Sequence, residues 1–190
     1  MSVSLSKGGN VSLSKTAPSM KNVLVGLGWD ARSTDGQDFD LDASAFLLAA
    51  NGKVRGDADF IFYNNLKSAD GSVTHTGDNR TGAGDGDDEQ IIVKLNSIDP
   101  KYEKIVFIVQ IYNGEKLQQH FGKVQNAFIR AVDGKNVEMA RFDLSGGVAF
   151  NGQRSMVFAE LVRESSGWKL NAIGEPSTSD SFVSHLRNYI

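Results

Sequence analysis

The chain has 190 residues, of which 40% are hydrophobic and 23% charged, a composition that fits one globular domain with a sizeable core. The net charge is only −3, so we expect no nucleic-acid partner and no strong attraction to an anionic membrane surface. The absence of cysteine excludes disulfides, thiolate metal sites and thiol redox chemistry, and it suits a reducing compartment. No apolar run approaches the ~20 residues of a membrane span, and residues 1–18 lack the apolar core of a secretory signal. We therefore expect a cytoplasmic protein without direct membrane insertion.

Short runs of β-forming residues, separated by turn signals such as Asn51-Gly52 and Asp70-Gly71, dominate the chain. In chain order, the predicted strands are residues 3–5, 11–13, 22–29, 39–48, 59–63, 73–76, 90–95, 104–111, 127–132, 137–144, 155–163 and 168–173. Residues 104–111 are β-branched or aromatic and almost uncharged, which is typical of a central strand. About ten to twelve strands with short turns predict an all-β fold, an antiparallel two-sheet β-sandwich that spans residues 1–190 as a single domain.

Helix signals are few. Residues 97–102 could form one helical turn, and residues 116–125 a short helix or a loop. Residues 180–189 begin with an N-capping Asp or Ser, and Phe182, Val183 and Leu186 fall on one apolar stripe. This pattern predicts a C-terminal helix docked on the sandwich.

We expect ordinary structural roles for the single aromatic and basic residues in the predicted strands. We expect Trp29, Tyr63 and Phe107 to fill the core. Arg130 and Arg141 could pair with buried acids, but an exposed strand face suits them better.

The first acidic run places Asp38, Asp40 and Asp42 at alternate positions, which share one face if the segment is a strand. Three like charges in this arrangement repel one another, so each favours a raised pKa or a neighbouring cation. Ca²⁺ fits such a group because it takes six to eight oxygen ligands. A solvated strand face and an acid–base pair of Asp38 with Asp40 are the open alternatives.

The second acidic run, residues 77–89, combines glycines with carboxylates. Glycine lets backbone carbonyls turn toward an ion, and the acidic side chains supply charge. The run fails the EF-hand pattern because Arg80 would take loop position 3 and Ala83 the position that requires glycine. It also lacks the Gly-Lys-Ser/Thr ending of a phosphate-binding loop. The sequence predicts a calcium loop of another type, with a solvated acidic loop as the alternative.

Other catalytic chemistries find little support in the sequence. The three histidines, His75, His120 and His185, lie far apart and in no zinc-ligand spacing, so we expect surface or internally satisfied roles for them. No Gly-x-Ser-x-Gly elbow is present, although residue order alone leaves a Ser-His-Asp arrangement open. A metal-dependent hydrolase also stays open.

Several motifs in order resemble the TerD family of tellurium-resistance and stress proteins over residues 1–174. They are residues 28–30 (GWD), 38–43 (DFDLDA), 62–65 (FYNN), 77–82 (GDNRTG), 86–89 (GDDE) and 121–130 (FGKVQNAFIR). The resemblance implies a β-sandwich that binds two calcium ions at neighbouring sites. The ligands it implies are Asp30, Asp40, Asp42, Asn64, Asn65, Asp78, Asp88 and Glu89, with the carbonyls of Gly77 and Gly82 as additions. Asp38, Asp85 and Asp87 are further candidate ligands, but a solvent-facing role suits them equally well.

The resemblance also implies a function, that of a non-enzymatic calcium-binding module in a bacterial stress and tellurite-resistance system. Its partners would be other tellurium-resistance proteins in a membrane-associated complex, which would place the protein in the cytoplasm, peripheral to the inner membrane. The alternatives are a metal-dependent enzyme and a binder of a small molecule, such as a nucleotide, bridged through the ion. The lack of cysteine argues against direct reduction of tellurite by thiols.

Overall fold

The structure, a computed structural model, describes residues 5–33, 35–84, 86–145 and 148–190. Within these ranges the chain forms eleven strands and two short α-helices. They are β1 (Asn10–Ser12), α1 (Leu13–Thr16), β2 (Asn22–Gly28), β3 (Leu41–Ala49), β4 (Phe60–Ile61), β5 (Val73–His75), β6 (Glu89–Lys94), β7 (Tyr102–Ile111), β8 (Phe128–Asp133), β9 (Glu138–Asp143), β10 (Ser155–Glu164), β11 (Gly167–Ser177) and α2 (Phe182–Leu186).

The strands form two antiparallel sheets. Six strands make one sheet in the order β1-β11-β10-β7-β3-β4, and five make the other in the order β5-β6-β2-β8-β9. The predicted all-β, two-sheet antiparallel sandwich with a few short helices is confirmed. The apolar run 104–111 falls in β7, which lies between β10 and β3 and is central as predicted.

Alternation along the strands separates two apolar clusters. In β3, the odd-numbered residues 41–47 enter the main core between the sheets, whereas Phe46 and Leu48 lie in a second cluster on the outer face of the six-stranded sheet. Phe182, Leu186 and Tyr189 from the C-terminal residues pack against this second cluster. At Phe46, the even face of β3 is therefore covered by the end of the chain.

The predicted helices are only partly as expected. α2 is capped by Ser181, whose side chain accepts a hydrogen bond from Val183 N–H, but it spans five residues instead of ten. The turn expected at 97–102 lies earlier, as a 3₁₀ turn at Leu95–Ser97, and residues 116–125 contain turns and a 3₁₀ turn at Phe121–Lys123. No helix in the described part of the chain is long and apolar enough to cross a membrane.

Among the differences at strand starts, two concern the strands predicted at residues 3–5 and 39–48. Residues 3 and 4 of the first lie outside the described residues, and Leu5 forms an isolated bridge with Ala140. The strand predicted from residue 39 begins at Leu41, so Asp38 and Asp40 precede it. The side-chain amide of Gln119 donates to the Asp38 carbonyl at 3.0 Å and holds this segment in a loop.

Candidate metal centre

A cleft where β3 begins and β7 ends brings the two acidic segments together. Its volume is about 240 Å³. Its lining residues are Asp40, Asp42, Tyr63, Asn64, Asp78, Arg80 and Tyr112. Asp40, Asp42 and Asp78 each offer one carboxylate oxygen, and the three oxygens lie within 4.8 Å of one another. The fold therefore joins the start of β3 to the loop between β5 and β6 through three carboxylates.

Burial and mutual repulsion perturb the two carboxylates at the start of β3. Burial raises the pKa of Asp42 to about 8, and the charges of Glu89 and Asp40 act in the same direction. Burial and the charge of Asp78 raise the pKa of Asp40 to about 6, against the opposing effect of Arg80. Both carboxylates therefore hold a proton more readily than usual unless a cation compensates their charge.

The donor atoms of the cleft suit a hard cation. Asp40 Oδ1 is buried and has no hydrogen-bond partner among the residues that the structure describes. The same holds for Gln110 Oε1, although Gln110 Nε2 donates to Asp42 Oδ2 at 3.4 Å. Carboxylate and amide oxygens are the ligands that Ca²⁺ prefers, so the side chains of Asp40, Asp42, Asn64 and Asp78 fit this ion.

Glu89 is fully buried, and its charge acts on Asp42 and Asp40 of the cleft. Its Oε2 accepts a hydrogen bond from Ala43 N–H at 2.8 Å and lies 3.4 Å from His75 Nε2, while its Oε1 accepts from Asn79 N–H at 3.3 Å. His75 Nδ1 accepts from Gly77 N–H, so Nε2 carries the ring proton. Burial raises the pKa of Glu89, and the hydrogen bond from His75 opposes the rise. Glu89 thus ties β6 to β3 and to the loop that carries Asp78.

The turn between β4 and β5 supplies Asn64. Phe62 and Asn65 exchange backbone hydrogen bonds of 3.1 and 2.9 Å, which close a tight turn with Asn64 in it. The side-chain amide of Asn65 donates to the Phe60 carbonyl at 2.6 Å. Asn64 therefore lines the cleft, whereas the amide nitrogen of Asn65 is engaged in holding the turn.

A second acidic group lies beside the first. Asp88 accepts hydrogen bonds from Trp29 N–H and from the side chain of Asn79, both at 2.9 Å. Burial raises the pKa of Asp88, the hydrogen bond from Trp29 lowers it, and the charges of Asp87 and Asp30 raise it. Asp30 lines a separate cleft of about 250 Å³, which Lys123 and Gln125 also line. The predicted ligands Asp30 and Asp88 are therefore neighbours, but they do not line the cleft of Asp40.

The two predicted glycine positions have clear backbone roles. Gly77 and Gly82 have φ values of +136° and +68°, which favour glycine. A Cβ on Gly82 would lie 2.4 Å from Trp29 Nε1, and its N–H donates to Asn79 Oδ1 at 3.1 Å. These glycines shape the loop, and ligation by their carbonyls stays a prediction.

Asp87 is an anchor rather than a solvent-facing residue. Arg130 donates to both of its carboxylate oxygens, at 2.8 and 3.1 Å, and the side chain of Asp87 is only 4% exposed. The carboxylate lies over Gly26, where a Cβ would approach within 2.3 Å. The expectation that Arg130 lies on an exposed face was wrong, because it pairs with this carboxylate and fixes the loop before Asp88. Asp38 is exposed, and Asp85 lies outside the described residues.

Two tyrosines form the aromatic rim of the cleft. Tyr63 and Tyr112 meet edge to face with ring centroids 6.3 Å apart. Tyr63 was expected in the core, but it follows the short β4 and is partly exposed. Tyr112 was missed by sequence reasoning, although its place directly after the central strand puts it near the start of β3, where Tyr112 N–H donates to the Asp40 carbonyl at 2.8 Å.

The fold and the cleft define a β-sandwich with clustered carboxylates at one sheet end. The profile of the TerD domain matches residues 1–189, so the chain belongs to the TerD family. It is 62% identical over 213 aligned residues to tellurium resistance protein TerX of Serratia marcescens, covering 100% of each chain. It is 47% identical over 176 residues to general stress protein 16U of Bacillus subtilis, covering 92% of this chain and 90% of that one. A crystal structure of a TerD homologue from Streptomyces coelicolor has the same fold, with a TM-score of 0.73, 24% identity, and coverage of 86% and 94% of the two chains.

Proposed function

We propose that the protein is a calcium-binding, non-enzymatic module of a bacterial tellurium-resistance and stress-response system. The observation that carries this proposal is the convergence of Asp40, Asp42 and Asp78 within 4.8 Å, with one buried oxygen of Asp40 unpartnered among the described residues. A cation in the cleft would neutralise carboxylates whose pKa values burial has raised. Membership of a family with tellurium-resistance and stress proteins supplies the biological setting.

The donor set favours calcium over magnesium. Ca²⁺ accepts an irregular shell of six to eight oxygens, whereas Mg²⁺ demands a tight octahedron and keeps several waters. We assign one ion to the cleft, with Asp40, Asp42, Asn64 and Asp78 as its side-chain ligands. A second ion would lie near Asp30 and Asp88, where burial and the charges of Asp87 and Asp30 raise the pKa of Asp88.

Among the hydrogen bonds of the described residues, the one buried Ser–His contact is not arranged as a serine nucleophile. Ser155 Oγ lies 2.8 Å from His185 Nε2, but it donates its proton to the Ser179 carbonyl at 2.5 Å. His185 must then donate to the serine, which is the reverse of nucleophile activation. Ser155 is also fully buried, so this pair anchors the C-terminal residues to β10.

An ion-bridged anionic ligand is the second candidate. Arg80 lies at the mouth of the cleft with its side chain 73% exposed and its Nε 3.8 Å from Asp40 Oδ2. With the carboxylates neutralised by calcium, this guanidinium could bind a phosphate, since arginine recognises phosphate in a bidentate manner. Retention of a nucleotide in equilibrium dialysis that depends on calcium would favour this candidate.

We also propose that the module works in the cytoplasm with other tellurium-resistance proteins, in a complex peripheral to the inner membrane. The names of two relatives, tellurium resistance proteins TerX and TerD, are the reason for setting this proposal in a tellurium-resistance system.

Calorimetric titration of the metal-free protein tests the proposal. We expect two calcium sites, and only weak binding of magnesium. A Kd of roughly 10⁻⁸ M would indicate a structural or buffering ion, and about 10⁻⁷–10⁻⁵ M a sensor. Absence of calcium binding at millimolar concentration would contradict the proposal, and metal-dependent turnover of a phosphate ester by pure protein would favour an enzyme instead.

A further inference from the structure

The C-terminal tail, residues 178–190, is anchored on the outer face of the six-stranded sheet. Ser155 on β10 donates to the Ser179 carbonyl and contacts His185. Near the chain end, Val54 N–H donates to the Tyr189 carbonyl at 2.8 Å. Ser155 is fully buried, so the tail is held near both of its ends by contacts with the rest of the protein.

A series of aromatic rings leads from the tail to the rim of the acidic cleft. The Phe182 ring lies 4.5 Å from Phe60 and 5.7 Å from Phe62, measured between centroids. Phe62 meets Tyr63 edge to face at 5.1 Å, and Tyr63 meets Tyr112 at 6.3 Å. The turn that carries Asn64 therefore rests on the tail through the side chain of Phe62.

A second and independent contact of the tail reaches another segment beside the cleft. Asp180 Oδ2 accepts a hydrogen bond from Glu115 N–H at 2.9 Å, and Glu115 belongs to the turns that follow β7. These turns begin at Tyr112, whose N–H donates to the Asp40 carbonyl at 2.8 Å. The tail thus touches two of the segments that border the cleft, the turn at 62–65 and the turns at 112–118.

We infer that the tail is a positioning element of the acidic cleft, so that docking of the tail and binding of a cation favour each other. A docked tail holds the turn of Asn64 and the segment beside Asp40 in place, which lowers the ordering cost of binding. Thermodynamic linkage then requires the ion to strengthen docking of the tail by the same factor. Only the part of the inference that concerns cation binding rests on the proposed function. A tail that merely covers apolar surface would affect stability but not the order of the two segments beside the cleft.

Hydrogen exchange in metal-free buffer tests the positioning half without any ion. We expect Phe182→Ala and Asp180→Ala to speed amide exchange in residues 60–66 and 111–119 and to leave β6 unchanged. Val183→Ala is the matched control, because Val183 lies on the same helix with its side chain partly exposed and outside the aromatic series. Faster exchange in the tail with unchanged exchange in residues 60–66 and 111–119 would overturn the inference. Single substitutions are used because removal of the whole tail would uncover Phe46 and its apolar neighbours.

Titration with calcium chloride tests the coupling half. We expect Phe182→Ala to weaken calcium binding about fivefold or more, and Val183→Ala to leave it unchanged. Calcium should also slow amide exchange in residues 178–190 of the wild-type protein. If the wild-type protein binds calcium and Phe182→Ala binds within about twofold of it, below the usual range of coupling, the inference fails and the proposed function stands. If the wild-type protein binds no calcium, the proposed function and the coupling both fail. Amide exchange in residues 60–66 and 111–119 then decides the positioning role alone.

Discussion

Calcium is expected to raise the melting temperature of the metal-free protein by about 5–10 °C, and the double substitution Asp40→Asn with Asp78→Asn is expected to abolish the rise. A ligand at a hundredfold excess over its Kd stabilises the folded state by about 2.7 kcal/mol. For a chain of this size, each kcal/mol shifts the melting temperature by about 2–4 °C. The two substitutions remove two of the three converging carboxylates but keep the side-chain size.

The control for this experiment is Asp57→Asn, an exposed carboxylate in the 3₁₀ turn before β4. It should respond to calcium as the wild-type protein does. Magnesium at the same concentration should produce a much smaller shift, because its coordination demands are stricter. A melting curve of the wild-type protein that does not change in millimolar calcium would contradict the assignment of the cleft.

The metal-free protein is expected to lose stability as the pH rises from about 4 to about 8. The pKa of Asp42 is raised to about 8 and that of Asp40 to about 6, from an ordinary value of 3.8. Between these values the folded state keeps protons that the unfolded state releases, so the free energy of unfolding falls with rising pH. Calcium should reduce or reverse this loss, because it binds the ionised carboxylates.

Unfolding by denaturant at pH 5, 7 and 8, with chelator and with calcium, measures the effect. The comparison is with Asp42→Asn, since the difference between the two proteins isolates the contribution of this carboxyl. His185 has the opposite effect on stability. Burial lowers its pKa, so the unfolded state binds a proton more readily than the folded state and the free energy of unfolding rises with pH. Equal pH dependence of Asp42→Asn and the wild-type protein would show that Asp42 is not the titrating group.

The architecture could be predicted because each strand carries its own local signal. Alternation in residues 39–48 and the apolar run 104–111 follow from which side chains face the main core. The start of β3 was misplaced because the Asp-Phe-Asp pattern continues the alternation into a loop. That loop is held by Gln119, which is 81 residues away from Asp38 in sequence. Contacts across such a distance have no signature in the local pattern.

The candidate site was predictable in its composition but less so in its division of roles. Asp40, Asp42, Asn64 and Asp78, four of the residues that the resemblance to the TerD family implies, line one cleft. Glu89, by contrast, accepts hydrogen bonds from two backbone amides and lies against His75, a partner that spacing along the chain could not reveal.

The roles of Asp87 and Arg130 depended on pairing between elements. Asp87 in the glycine-rich loop meets Arg130 on β8 because β2 presents a glycine, Gly26, beneath the carboxylate. Neither residue differs locally from an exposed charged residue. The sequence shows where the carboxylates lie along the chain, but the residues that pair with them are known only from the folded sheets.

A crystal structure of the protein grown with calcium is the most direct measurement of the central claim. We expect an ion in the cleft with oxygens of Asp40, Asp42 and Asp78 at about 2.3–2.6 Å and with Asn64 completing the side-chain ligands. Six to eight oxygen ligands at these distances would identify calcium, because magnesium binds six oxygens at about 2.0–2.1 Å. A cleft that contains only water at saturating calcium, with the three carboxylates still in contact, would contradict the assignment.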